Sequence, residues 1–180
     1  PQSMNKLSRD FYTVHTSIYR DTLLSQSKAL GYPQFPIDAI FITAKYYSGS
    51  GISSLYQEYS NIFQLKVSDS PSTYLGTVTM KAYNHSTASL EEVNYKTYNN
   101  HSWSYLAFLE TIIGSLTTFN PHFMGFLGQR VIDNATYIKC LTDSTFGGPP
   151  YQVGYLGKLL EEENKEFSNV ILNNTTNGWK

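Results

Sequence analysis

The spacing of apolar and polar positions divides the chain into segments of different period. Over 5–30 apolar residues recur at helical spacing. Leu7, Phe11, Val14 and Ile18 fall in one arc, and Tyr12, Tyr19, Leu23 and Leu30 in a second, about 140° away. Arg9, Asp10, Arg20 and Lys28 take the remaining side, so a long helix with a wide buried face is expected, stopped by Gly31 and Pro33. His15 lies mid-face and is expected to be a core residue bonded to a backbone group or a tyrosine. On this reading His15→Leu is tolerated, whereas Ile18→Asp unfolds the domain.

After Pro36 the pattern shifts. The run of Ile, Phe, Thr and Tyr over 39–47 is of strand type, and Ser48-Gly-Ser-Gly51 breaks it. Ser54-Leu-Tyr-Gln57 resembles a capping box opening a short helix. Phe63, Leu65 and Val67 alternate with polar residues, as do 74–83 and 93–97. The three segments predict an antiparallel meander. Tyr105, Leu109, Ile112 and Leu116 return to helical spacing until Asn120-Pro121. Strands near 130–132 and 136–141 and a final helix carrying Leu156, Leu160, Phe167 and Ile171 complete the reading. The expected class is α+β: a long N-terminal helix on a mostly antiparallel sheet of four to six strands, with one or two further helices. One domain is expected over 5–172, after a cloning remnant at 1–4 and before a polar tail at 173–180. The helix-then-sheet layout is similar to that of pilin-like subunits and extracytoplasmic sensor domains.

Composition narrows the function classes. Only 15% of residues are charged and the net charge is −1, which offers no basic footprint for nucleic acid. No stretch has the length and apolarity of a membrane span, so no membrane insertion is expected. The single cysteine, Cys140, excludes an intramolecular disulfide. Fifteen Tyr and ten Phe beside abundant Ser, Thr and Asn make a surface of hydroxyls and amides, suited to an extracytoplasmic, secreted or virion-exposed protein.

Candidate chemistry is sparse. His15-Thr-Ser17 and His85-Ser-Thr87 resemble the paired H-x-T/S motifs of the 2H phosphoesterase family, which implies phosphodiester hydrolysis with His15 and His85 as base and acid. The resemblance covers six residues, and on a helix Ser17 points about 200° from His15. The histidines and Cys140 lack close metal-ligand spacing, so no metal and no cofactor is expected. Five N-x-Ser/Thr sequons include Asn84, Asn100 and Asn134 as glycosylation candidates. The remaining lead is aromatic: Tyr83 and Tyr98, paired across the sheet, with Trp103 and Tyr46, would form an exposed platform. The expectation is a non-enzymatic binding or assembly domain, possible as an oligomer, meeting a glycan, peptide or partner subunit through Tyr83, Tyr98, Trp103 and Tyr46. The alternatives are the phosphodiesterase and an intracellular small-ligand module whose first helix covers a pocket.

Overall fold

The first helix starts where the Asn5 side chain accepts the Ser8 amide proton at 2.8 Å, satisfying one of the donors a helix leaves open. In the computed structural model the described residues are 5–32, 34–69, 74–84 and 87–118, with side chains as far as Ile113 in the last stretch, together with Tyr137 and Lys158. Expectations that fall beyond 118 (the strands near 130–141, the final helix, Asn134) lie outside them, as does His85. Helix α1 (Lys6–Ala29) is followed by α2 (Ile37–Ser48), α3 (Ser54–Tyr59), a hairpin of β1 (Gly76–Asn84) and β2 (Ser89–Thr97), and α4 (His101–Thr118). None of these helices is long and apolar enough to cross a membrane.

The buried face of α1 is not the one its most aliphatic residues mark. Ser8, Phe11, Tyr12, His15, Thr16, Leu23 and Ser27 face inward, while Ile18 is 58% exposed and Leu7 and Val14 are also on the surface. Small hydroxyl residues sit where aliphatics were expected. Thr16 satisfies its hydroxyl on the Tyr12 carbonyl at 2.6 Å, and Ser27 bonds the Leu24 carbonyl, so neither carries an unmet polar group inward.

The expected strand over 39–47 is helical. Its residues are buried on every side, with Ile40, Phe41, Ile42 and Ala44 fully enclosed, and a continuous apolar run does not distinguish a strand from a buried helix. Gly49, left-handed at φ 59°, ends it. Gly51 then passes so close to Tyr56 that an added Cβ would lie 3.2 Å from its ring. The short helix begins one residue before the expected box: Ser53 accepts the Tyr56 amide proton at 3.2 Å.

Nor is the segment carrying Phe63, Leu65 and Val67 a strand. Gln64 takes φ 55°, which no extended strand permits, and the buried Asn61 amide donates to the carbonyls of Leu65 and Lys96 at 2.9 and 2.8 Å. Ser104 accepts the Ile62 amide proton, so this loop meets its backbone needs through side chains. Among the described residues the sheet is therefore two-stranded rather than four- to six-stranded. The hairpin itself is as expected, antiparallel with Val78 opposite Tyr95 and Tyr83 opposite Leu90. The α+β class with a long N-terminal helix and an antiparallel sheet holds.

His15 ties the helices together. It is 1% exposed, with Nδ1 2.7 Å from the Tyr105 hydroxyl on α4 and Nε2 2.6 Å from the Tyr56 hydroxyl on α3. Phe11 stacks on its ring at 4.0 Å. Burial, with the nearby His101 ring adding to it, lowers its pKa to about 3. The unfolded chain binds this proton near pH 6.5 and the folded one only near 3. The stabilisation is thus complete above about 6.5 and is lost as pH falls toward 3. The melting temperature should drop on acidification from pH 7 to 4, with a shallower drop in His15→Gln. His15→Leu, expected from sequence to be tolerated, should instead cost about 2–4 kcal/mol, because the buried Tyr105 hydroxyl and the half-buried Tyr56 hydroxyl lose their partner. Ile18→Asp should leave the melting curve nearly unchanged.

Candidate functional site

The hairpin meets α4 where β2 ends. Tyr98 turns inward, its amide donating to the Tyr59 carbonyl at 2.9 Å, and Asn100 caps α4 by accepting the Trp103 amide proton at 3.2 Å. The Leu75 amide donates to the Thr97 carbonyl at 2.8 Å, which lays Tyr74 and Leu75 beside the same strand end. These segments enclose an open cavity of about 210 Å3 lined by Tyr74, Leu75, Tyr98, Asn99 and Trp103. Three aromatic rings and one amide face it.

Charge collects beside this cavity. Lys96 is 1% exposed; its Nζ lies 5.4 Å from the Tyr74 ring centroid and 3.5 Å from the Asp69 carbonyl, to which it donates. Asp69 is fixed because its Oδ2 accepts the Lys66 amide proton at 2.6 Å, and Lys66 is itself bridged to Tyr95. Glu110 stands on the face of α4 that carries Trp103, seven residues and so about 10.5 Å along the axis. It makes no hydrogen bond among the described residues. Burial raises the pKa of both carboxyls, and the Lys96 ammonium pulls each back down. Burial in turn lowers Lys96, while Asp69 and Glu110 raise it. Tyr47, at the end of α2, is pushed well up by burial, by Tyr46 and by Asp69, so it stays a neutral hydroxyl. Asp69, Lys96 and Glu110 thus form one electrostatic unit with two acids and one base. Among the described residues no three His, Cys, Asp or Glu side chains are grouped to hold a metal ion.

The expected platform is not assembled. Tyr83 is 52% exposed but sits near the hairpin tip opposite Leu90, whereas Tyr98 is buried at the base, roughly 26 Å further along the strand. Tyr46 is half-buried on the core, edge-on to Tyr47. The structure does bring Tyr98 and Trp103 together, with Tyr74 and Asn99 that sequence reading passed over. Asn84 donates its amide to Glu91, and Asn100 is exposed. One signal was available for Glu110: it is the only charged residue in α4.

No family model matches the sequence, and no curated protein matches it. Solved structures do. A mutant peptidoglycan hydrolase from Sphingomonas sp. A1 superposes with TM-score 0.63 at 10% identity, over 89% of this chain and 99% of that one. The catalytic domain of the autolysin Auto from Listeria monocytogenes gives 0.59 at 16% identity, over 94% and 90%. A glycoside hydrolase domain of FlgJ from Salmonella typhimurium gives 0.56 at 17% identity, over 88% and 98%. The chain shares the fold of these hydrolase domains. That overturns the expectation of a non-enzymatic binding or assembly domain, and with it the small-ligand module. The phosphodiesterase alternative falls as well, since none of these neighbours is a phosphoesterase and His15 is sealed in the core with both ring nitrogens occupied.

Burial separates the roles of the aromatics here. Tyr98→Ala should cost about 3–5 kcal/mol in a denaturant titration, because it empties a packed site. Tyr83→Ala should leave the midpoint within about 0.5 kcal/mol of the parent.

Proposed function

We propose that the chain hydrolyses a glycosidic bond in a peptidoglycan-type glycan outside the cytoplasm. The observation that carries this reading is the fold likeness to peptidoglycan and glycoside hydrolase domains over about nine-tenths of the chain. The site chemistry supports it. Glycoside hydrolysis needs a carboxylic acid that protonates the leaving oxygen and a second carboxylate that backs the developing positive charge or activates water. Glu110 is the proposed proton donor: burial raises its pKa above the ordinary carboxylate range, against the opposing pull of Lys96, and its carboxyl is not committed to another hydrogen bond among the described residues. Asp69, anchored on the Lys66 amide, is the proposed second carboxylate. The Lys96 ammonium compensates negative charge at both carboxyls, pulling each back down from where burial would put it.

The test is release of reducing ends from purified peptidoglycan by the intact chain. Glu110→Gln should lower turnover by about 10²–10⁴-fold without moving the melting temperature, and Asp69→Asn should lower it too. Because the donor must be protonated, activity should fall as pH rises through the elevated Glu110 value and should persist into weak acid. Absence of release between about pH 4 and 8 overturns the reading. Full activity in Glu110→Gln overturns the assignment of the donor.

A further inference from the structure

Helix α1 inverts the usual division of its side chains. Ser8, His15, Thr16 and Ser27 are buried, while Leu7, Val14 and Ile18 are each about half exposed. At about 100° per residue these three aliphatics fall within an arc of about 40°, so they form one stripe rather than scattered surface residues. Ile52, also exposed, extends the patch: it follows Gly51, where an added Cβ would come 3.5 Å from the Phe11 ring. None of these four aliphatics lines the cavity at the hairpin base or belongs to the charged cluster. What the stripe contacts is therefore a question separate from the hydrolase reading.

We infer that this stripe is the contact through which two copies of the chain pair, α1 against α1 in antiparallel orientation about a two-fold axis. The apolar spacing reads the same in both directions: Leu7, Phe11, Val14 and Ile18 are separated by four, three and four residues. An antiparallel second copy therefore sets Leu7 opposite Ile18 and Val14 over Phe11, in the same register from either chain. Charge selects the orientation. Lys6 and Asp21 lie on one flank of the stripe, at opposite ends of it. Two helices related by such an axis meet flank to like flank. Asp21 of one copy then comes level with position 4 of the other, two residues and about 3 Å along the axis from Lys6. A parallel pair would set like charge on like. Lys6 already reaches Asp10 at 2.7 Å, but that pair is exposed and an ammonium has three protons, so it can serve a second carboxylate. Asp21 has no hydrogen bond or ion pair among the described residues. The stripe ends at Asp21 and Ser25, which limits the contact to about three turns of helix. Such a contact falls short of the roughly 800 Å2 per partner of a stable complex, so the dimer is reversible and half-formed on the order of 0.1 mM.

Sedimentation equilibrium of the intact chain tests the pairing. Between about 5 and about 500 µM the weight-average mass should rise from that of one chain toward that of two. Ile18→Asp, which changes a residue outside the core, should stay monomeric across that range. Its melting curve does not report the loss, because at the low micromolar concentrations of that measurement the parent is monomeric too. Lys6→Glu and Asp21→Lys each bring like charges together twice across the axis, and each should weaken the dimer by at least about 3-fold. The double variant restores opposite charges and should regain most of the parent's affinity. A parent chain that is monomeric at about 500 µM overturns the inference and leaves the stripe to a different partner. A dimer that Ile18→Asp does not weaken places the contact elsewhere and overturns it too. So does a double variant that pairs no better than the single ones.

Discussion

One buried imidazole holds the arrangement on which the rest depends. His15 joins α1 to α3 through Tyr56 and to α4 through Tyr105, and α4 carries both Trp103 and Glu110. A neutral imidazole has one donor and one acceptor, so one tyrosine accepts from it and the other donates to it. A protonated ring would still have two hydroxyl oxygens to donate to. Its low pKa therefore comes from the enclosing apolar surface, with Phe11 stacked on it, and from the proximity of His101, rather than from a missing partner. His101 is itself kept below its ordinary value by burial, against the Tyr56 carbonyl that favours its protonated form. The stack of Tyr56 on His101 at 4.2 Å makes Tyr56 part of the same pin at the start of α4.

A second constraint sets the register of hairpin and helix. Asn61 is fully buried and spends its amide on the Leu65 and Lys96 carbonyls and its oxygen on the Leu65 amide. The Lys96 amide in turn donates to the Leu65 carbonyl. This network places a lysine inward at the end of a strand, where its ammonium meets the Asp69 carbonyl and the Tyr74 ring and interacts electrostatically with the Asp69 and Glu110 carboxyls. Burying an ammonium is costly unless it is compensated, and the two carboxyls supply that compensation. The same lysine lowers the cost of ionising both acids, which burial alone would raise.

Periodicity made the elements legible where one face is wet. The first helix, the hairpin and the last helix of the described residues were all visible in the spacing of their apolar positions. The helix over Ile37–Ser48 was not, because burial on all sides erases the alternation that tells 3.6 from 2. The inward face of α1 was misplaced for a related reason. Hydroxyl residues that bond their own helix, such as Thr16 and Ser27, read as polar in sequence and behave as small buried groups in the fold. The site was the least legible part. Lys96 occupies a polar position in an alternating strand, Asp69 lies in a polar connector, and only the solitary charge of Glu110 in α4 stood out. What joins them is desolvation at one junction, which no local pattern records.

The scarcity of charge then acquires a meaning that composition alone did not give. In a chain with so few ionisable residues, two acids and a lysine converge at one end of the hairpin, while the neighbouring cavity is made of rings and an amide. The two surfaces suit different tasks. The cavity offers ring faces, an aliphatic wall and an amide, with no carboxyl, ammonium or imidazole in its lining. The two carboxyls, raised by burial and pulled back down by one ammonium, lie where a proton is held more tightly than on a free carboxylate. Trp103 at the cavity and Glu110 in the charged cluster stand on one face of α4, and their separation is fixed by helix pitch. A rigid element bearing both groups keeps the distance between them constant when ligand enters, which a loop could not.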